Sequence, residues 1–537
     1  MSKKKIMPIL LTLIIWALMF YNYLPAINLQ SNDFWIFCVV AVAVAVVINA
    51  WSIFKSVAFS RGDPERNSKM KLFKRIMMIP LLLVVIYLGG GLLSSPIIRA
   101  GAYNKLLDVK TSRFEDDIHE VNYTQIPILD KDSASKLAER EMGSMVDMVS
   151  QYEVSNSFTQ INYQSKPVRV SPLRYGSIIK WITNRKTGIP AYIRIDMTKQ
   201  DVDLVKLADG IKYSQSEHFG RNLNRYLRFA YPTAMFRGFN FEINDEGVPY
   251  WICPVEERTI GLFGGADIKG AVVMNAITGE HAYYDVKDVP KWIDKVYDAE
   301  LLVQQYDYHG TLKNGYINSV FGQRDCLQTT EGYNYIALDD DVWVYTGVTS
   351  VSGDESIVGF VLMNQRTKET KYYLISGAKE ISAMSSAEGQ VQHLGYVATF
   401  PLLLNIAGEP TYFLALKDSA GLVKKYAMVN IEKYQIVATG DTVAQCEKAY
   451  KSLMAGSGIV SKDTTKRQNL QGKIALMRDI VLEGNSFYYI TIEGNPNLFE
   501  IEVKDQLSIL KKREGDMVTI EYVPSMIEGI QTVVSVK

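Results

Sequence analysis

The chemistry open to this chain is set first by five histidines and four cysteines, the residue types that most often bind metals, move protons or attack electrophiles. His119, His218, His281, His309 and His393 never fall three or four residues apart, so no helical metal pair is expected. A serine or cysteine nucleophile shows in sequence only through a local signature, and neither G-x-S-x-G nor H-E-x-x-H occurs. Cys253, in YWICP, reads as a strand residue and Cys446 as part of an apolar helix face; Cys326, in GQRDCLQTT, is the one loop-like thiol. His281 reads as an exposed strand residue. The glycine-rich GLFGGADIKG (Gly261–Gly270) leads into a strand and offers phosphate no helix N-terminus, which makes it a turn or bulge. Asp339, Asp340 and Asp341 lack the spacing of a calcium loop and read as a solvated hairpin turn before VWVYTG. No catalytic, cofactor-binding or metal-binding residue is therefore assigned, no cofactor is expected, and the chain reads as a non-enzyme.

The elements around these residues are more informative. GAVVMNAITGEHAYYD (Gly270–Asp285) and GFVLMNQRTKETKYYL (Gly359–Leu374) align without a gap and agree at eight of sixteen positions. Both read as strand, turn, strand. KYAMVNIEKYQIVATG (Lys425–Gly440) is a third, weaker copy, and Asn275, Asn364 and Asn430 close the first strand of each, where Asn tolerates positive φ and can bond its own backbone. The spacing is too irregular for a solenoid. Gly-x-Pro followed by Tyr precedes the first and third copies, in DEGVPYWICPV and AGEPTYFLALKD, and TGIPAYIRIDM opens a more degenerate unit. Helix-like sequence follows each copy. Asp288 is expected to cap VPKWIDKVYDAEL with Pro290 in its first turn, and Gly389 to close GAKEISAMSSAEG. Thr442 and Gln445 form a capping box for a helix with Val443, Cys446, Tyr450 and Leu453 on one face, ended by Gly456. Earlier, Asp132 or Ser133 is expected to cap a helix through Ala134, Leu137, Ala138 and Glu141. The recurring unit is thus a strand meander followed by one helix, duplicated because one copy cannot cover both faces of its sheet.

The turn NAITGE (Asn275–Glu280) resembles the D/N-x-x-T-G-E turn of PepSY and cystatin-like extracytoplasmic domains, although NQRTKE lacks the glycine and NIEKYQ most of the motif. The resemblance covers Ile126–Leu453 and implies modules in which a helix packs on a curved antiparallel sheet. The chain as a whole resembles bacterial membrane proteins of uncharacterised activity that carry a few N-terminal helices and a long repeated ectodomain.

Three charge-free apolar runs, Ile6–Ile27, Phe34–Phe54 and Ile76–Ser94, match the ~20 residues that a bilayer core requires and are expected as transmembrane helices. The first is longer than a signal-peptide core and lacks a cleavage site. Residues 1–75 hold 10 basic and 3 acidic residues, leaving 48 basic and 55 acidic in the remainder. Lys3, Lys4 and Lys5 precede the first run, Tyr21–Asp33 has no basic residue, and Lys55–Arg75 has seven, so the N-terminus and second loop belong in the cytoplasm and everything beyond Ser94 outside. The mildly acidic remainder gives no footprint for nucleic acid. Cysteines outside the membrane are odd in number and widely spaced, which is no disulfide framework.

Beyond a polar linker, residues 456–468, five short strands read as a small OB-like barrel with nine basic and ten acidic residues from Lys466 onward. The expected architecture is α+β: a three-helix membrane anchor over residues 1–98, a linker or stalk over 99–127, tandem sheet-plus-helix modules over 128–455, and the barrel over 469–537. The expected function is that of a multi-pass, extracytoplasmic scaffold or regulatory binding protein of the bacterial cell envelope, with a lipid bilayer and a protein or cell-wall partner. Alternatives are an envelope hydrolase whose site assembles in space and an accessory subunit of a transport or secretion complex. Partner identity and oligomeric state are not legible.

Overall fold

The computed structural model describes residues 3–58, 66–119, 126–338, 340–351, 356–456, 468–482, 485–503, 506–524 and 530–537. They form two units, Met1–Ile459 and Val460–Lys537.

Among the described residues of the first unit, alternating apolar residues in short runs produce four five-stranded antiparallel meanders with one shared strand order. In the first, Tyr152–Val154 and Thr159–Tyr163 both pair with the long strand Lys166–Tyr175, which pairs with Ile189–Asp196 and that in turn with Asp201–Ile211. The second repeats this with Met235–Phe236, Asn240–Ile243, Pro249–Ile260, Gly264–Asn275 and His281–Asp285. The third uses Leu327–Thr329, Asn334–Leu338, Asp341–Ser350, Gly359–Asn364 and Thr370–Tyr373. The fourth uses Val397–Ala398, Leu402–Ile406, Glu409–Lys417, Val423–Asn430 and Val437–Gly440. A helix stands before each sheet in the chain, namely Lys131–Ser144, Leu223–Ala230, Ala299–Thr311 and Glu380–Gln390, and a fifth, Val443–Gly456, follows the last. The unit is thus helix-then-sheet, the reverse of the expected order.

The repeated turn explains why the motif recurs. The Oδ1 of Asn275 accepts from the N–H of Ile277 and Thr278 (2.9 and 3.0 Å), that of Asn364 from Arg366 and Thr367 (2.8 Å each), and that of Asn430 from Lys433 (2.8 Å). Asp196 does the same for Thr198 at 2.8 Å, which adds a fourth copy with Asp in place of Asn. Positive φ falls on Gln200, Gly279 and Lys368, not on the Asx residue itself, so the turn selects Asx for its acceptor oxygen. The next residue of each copy, Met197, Ala276, Gln365 or Ile431, donates its N–H to the carbonyl of Pro167, Pro249, Val342 or Pro410. Those prolines identify SKPV (Ser165–Val168), with Ser165 at φ +59°, as the first copy's version of Gly-x-Pro; TGIPAY lies one strand later and is a coincidental match.

Strand alternation then forces stacking. In the second sheet Trp251, Cys253, Val272 and Met274 pack with the first sheet, while Ile252, Ala271 and Val273 pack with Val344, Val348, Val361 and Met363 of the third. The third sheet's other face, with Trp343, Tyr345, Phe360 and Leu362, packs with Leu403, Tyr412 and Met428 of the fourth.

Several local expectations are corrected. Asp130, not Asp132 or Ser133, caps the Lys131–Ser144 helix by accepting from Ser133 N at 3.0 Å. Asp288 caps no long helix; that helix begins at Ala299 under Asp298. The N–H groups of Asp294 and Lys295 donate instead to Glu242, and those of Val296 and Tyr297 to the Gln365 carbonyl, which holds residues 289–298 out of a helix. Gly389 lies inside its helix, and Gly395 takes the left-handed position beyond it. The Thr442–Gln445 box forms, but Leu453 is 45% exposed and Met454 takes its place in the core. The described residues of the expected stalk, 99–119 and 126–127, pack against the sheets: Pro96–Asn104 is helical, Val109–Ser112 pairs in parallel with Thr370–Tyr373, and Phe114, Ile118 and Ile126 are buried. The linker expected at 456–468 falls almost wholly outside the described residues.

At the N-terminus, α1 (Lys3–Tyr23), α2 (Asn32–Ala58) and α3 (Arg66–Leu93) run along the three apolar segments, and α4 (Pro96–Asn104) follows. Among the described residues no single helix is both long and apolar enough to cross a membrane; Met78–Leu93 and Pro96–Asn104, bent by 45°, together are, and Pro8–Tyr23 and Asn32–Ile48 are shorter apolar helices. In the second unit Gln468–Leu482, Asn485–Ile492, Leu498–Glu502, Met517–Pro524 and Ile530–Val536 close a five-stranded barrel around Ile490, Phe499, Ile501 and Ile520.

Asn364 is buried and also donates to Asp341 at 2.8 Å, whereas Asn275 serves only its own turn. Asn364→Ala is expected to cost about 1–3 kcal/mol and Asn275→Ala roughly 1 kcal/mol, read as the larger and smaller drop in thermal midpoint of the detergent-solubilised chain. Equal drops would contradict this ranking.

Candidate functional site: a cationic cleft where the sheets meet

Three sheets and one helix start converge on a cleft of about 390 Å³. The first sheet supplies Phe158, Gln160 and Arg169, the third Tyr333, Asn334, Tyr335 and Gln365, the connection between the first two strands of the fourth Phe400, and the first turn of the Lys131–Ser144 helix Lys131 and Asp132. Lys295 enters from the irregular segment that Glu242 and Gln365 hold open.

Arg169 sits opposite Gln160 in register, between Val168 and Val170, both of which are core residues. Its Nη2 donates to Gln160 Oε1 at 3.2 Å. The side chain is 6% exposed, its Nε and the Gln160 Nε2 lack a partner, and among the described residues no carboxylate pairs with it. Asp130, at the rim, is taken by Lys417 (2.6 Å) and by its capping bond. No described carboxylate pairs with the Lys295 ammonium either. Burial lowers the pKa of both cations, while the Tyr335 ring beside Arg169 and the nearby acids oppose that shift. Asn334 is fixed by donating to the carbonyls of Phe400 and Pro401 at 3.2 Å, which ties the third sheet to the fourth at the cleft wall.

Behind Lys295 lies a buried acid pair. Glu242 accepts from Asp294 N and Lys295 N at 3.0 Å, and Asp294 Oδ2 accepts from Asn162 N at 2.7 Å. Burial pushes Glu242 up to about 7, against those two N–H bonds and the Lys295 charge. Asp294 is raised well above the carboxylate range by burial first, then by Glu242, Asp341 and Asp340. Asp341 itself is buried and held by a two-point bond to Arg366 at 2.6 Å, so it is no solvated turn residue, while Asp340 takes φ +68° in the hairpin and Asp339 lies outside the described residues.

The residues with the widest chemical reach lie elsewhere. Cys253, Cys326 and Cys446 are buried and free, and burial raises all three thiols. Cys326 touches the Thr311 carbonyl at 3.3 Å and is no exposed loop nucleophile. His281 meets Tyr231 Oη at 3.0 Å, His309 the Asn104 carbonyl at 3.1 Å, and His218 packs on Trp181. Among the described residues no group of His, Cys, Asp and Glu could hold a metal. The glycine-rich stretch is a hairpin tip and bulge: Leu262 and Phe263 donate to Ser94 Oγ at 2.8 and 3.2 Å. The cleft residues were missed in sequence. The signal available was Arg169 between two core valines in QSKPVRVSP.

Glu242 carries its proton to about pH 7 in the folded chain but only to 4.5 at its ordinary value. A raised acid pKa means stability that is full below the ordinary value and lost as pH rises through the folded one. The thermal midpoint is therefore expected to fall between pH 5 and 8, and Glu242→Gln to flatten that fall by removing the carboxyl that accepts from Asp294 N and Lys295 N; an unchanged slope would contradict the assignment. No protein-family model matches the chain, and no curated protein matches it in sequence.

Proposed function

We propose that the chain is a multi-pass membrane protein whose sheet stack works outside the cytoplasm as a non-enzymatic scaffold or binding module of the cell envelope. The observation that carries this reading is how the N-terminal helices are finished. Their sides are left apolar and uncovered, with Leu13 55%, Val47 68% and Leu88 63% exposed, a surface that is costly in water and suited to lipid. α1, α2 and α3 run 21, 27 and 28 residues, the length scale of a bilayer at ~1.5 Å rise per residue.

Their polar ends on one side are bonded to the second sheet's module. Ile27 N donates to the Pro232 carbonyl at 2.8 Å, Gln30 Nε2 to the Arg258 carbonyl at 2.9 Å, and Arg228 Nε to the Leu24 carbonyl at 3.0 Å. Phe263 packs on Trp35 and Tyr87, and Arg225 lies over Tyr21 at 4.1 Å. The α1–α2 connection and the stack thus share one side, the side without basic residues in its loop. With the three helices read as crossing in turn, the basic run Lys55–Arg75 is assigned to the opposite, cytoplasmic side.

Each sheet with its preceding helix is read as a PepSY/cystatin-like module. The barrel is read as OB-type from its strand order, first-second-third-fifth-fourth, with third and fifth parallel. A protein or cell-wall partner is proposed for the stack, since residues 76–537 are mildly acidic, with 48 basic and 55 acidic residues, where nucleic acid would need a basic footprint.

Because the soluble-side cysteines are buried, an exposed residue such as Lys186 can report topology. Lys186→Cys in a Cys38→Ser background is expected to react with a membrane-impermeant maleimide in intact cells. Reaction only after lysis would overturn the proposed orientation.

A further inference from the structure

A buried guanidinium is normally matched by a carboxylate, because a cation taken out of water without a partner is costly. Arg169 is 6% exposed, holds only Gln160 Oε1, and leaves its Nε and the Gln160 Nε2 without a partner beside a cleft wide enough for a ligand. Lys295, reaching the same cleft, pairs with no described carboxylate, although Asp298 and Glu242 lie near enough to favour its charge; of the two acids lining the cleft, Asp130 is consumed by Lys417 and Asp132 makes no described pair with either cation. Glu242, raised by burial against the Lys295 charge, bonds the backbone N–H groups of Asp294 and Lys295 and not the Lys295 ammonium. Arg169 and Lys295 therefore line one space, and no described carboxylate is paired to either of them.

We propose that this cleft binds the oxyanion, carboxylate or phosphate, of a saccharide-sized ligand. The planar fork of Arg169 suits two-point contact with such a group, and Lys295 supplies a second, point-like charge. Phe158, Tyr335 and Phe400 give the rest of the ligand flat apolar walls, and about 390 Å³ lies within the usual range of small-molecule sites. The fold keeps this arrangement because Arg169 is strapped between core valines and the Lys295 backbone N–H is held by Glu242, which fixes the base of that side chain at the cleft. The proposal rests on reading the stack as a binding module, but not on its membrane orientation.

The test uses the full chain in detergent micelles, with glucuronate and glucose 6-phosphate as charged probes and glucose as the neutral one, followed by calorimetric titration and thermal midpoint. A saturable shift with one or both charged probes and none with glucose is expected, and which of the two binds distinguishes carboxylate from phosphate. Arg169→Met is expected to raise the ligand-free midpoint, because it removes an unmatched buried charge, while abolishing the ligand-dependent shift. Arg169→Lys, which keeps charge without the fork, and Lys295→Met should each weaken binding at least tenfold, and they serve if the Met variant at Arg169 does not fold. Absence of binding by both charged probes at millimolar concentration, equal binding of glucose, or unchanged affinity in the Arg169 and Lys295 variants would overturn the proposal. None of these outcomes bears on the maleimide test of topology.

Discussion

The structure depends on covering sheets that are apolar on both faces. A five-stranded sheet such as Pro249–Ile260 with its neighbours carries Trp251 and Val272 on one side and Ile252 and Val273 on the other, and each fully buried side chain of this kind contributes roughly 1.5–3 kcal/mol. A lone module would forfeit the burial of one whole face while still losing chain entropy of ~1–2 kcal/mol per ordered residue. Stacking four modules gives the second and third sheets neighbours on both sides, with the Lys131–Ser144 helix packed on the first sheet and the Glu380–Gln390 and Val443–Gly456 helices on the fourth. The repeated Asx turn follows from the same demand, because it fixes the register that sends alternate residues to alternate faces.

The cleft is a by-product of that stacking. Where twisted sheets diverge, their edges leave a space that backbone alone cannot fill, and the segment 289–298 is drawn into it because Glu242 and Gln365 take the N–H groups a helix would have used internally. That exchange places Lys295 opposite Arg169. The polar groups there are unsatisfied in the protein alone, in contrast to Asp341, whose bonds to Arg366 and Asn364 consume both its oxygens.

Much of the architecture was legible in sequence because it is local. Asn275, Asn364 and Asn430 were recognisable as turn residues, and the glycines of GLFGGADIKG as a turn, since each serves backbone within a few positions. The five strands of the barrel were legible for the same reason. The first module was only glimpsed, because Asp196 replaces Asn and Ser165 replaces Gly while preserving the geometry. Helix order and caps failed where distant groups intervened, as Glu242 did for residues 288–298. The site was not legible at all: Gln160, Arg169, Lys295, Tyr335 and Phe400 lie far apart in the chain and meet only when the sheets stack, so no spacing rule joins them.

The account stands on the two inner sheets having no independent stability. Native-state hydrogen exchange on the full chain measures this directly. Amides of Pro249–Ile260, Gly264–Asn275, Asp341–Ser350 and Gly359–Asn364 are predicted to exchange together and last within Met1–Ile459, through one cooperative opening. If either inner sheet exchanged on its own, faster than the first and fourth, the sheets would be separate domains in a row and the stacking claim would be wrong.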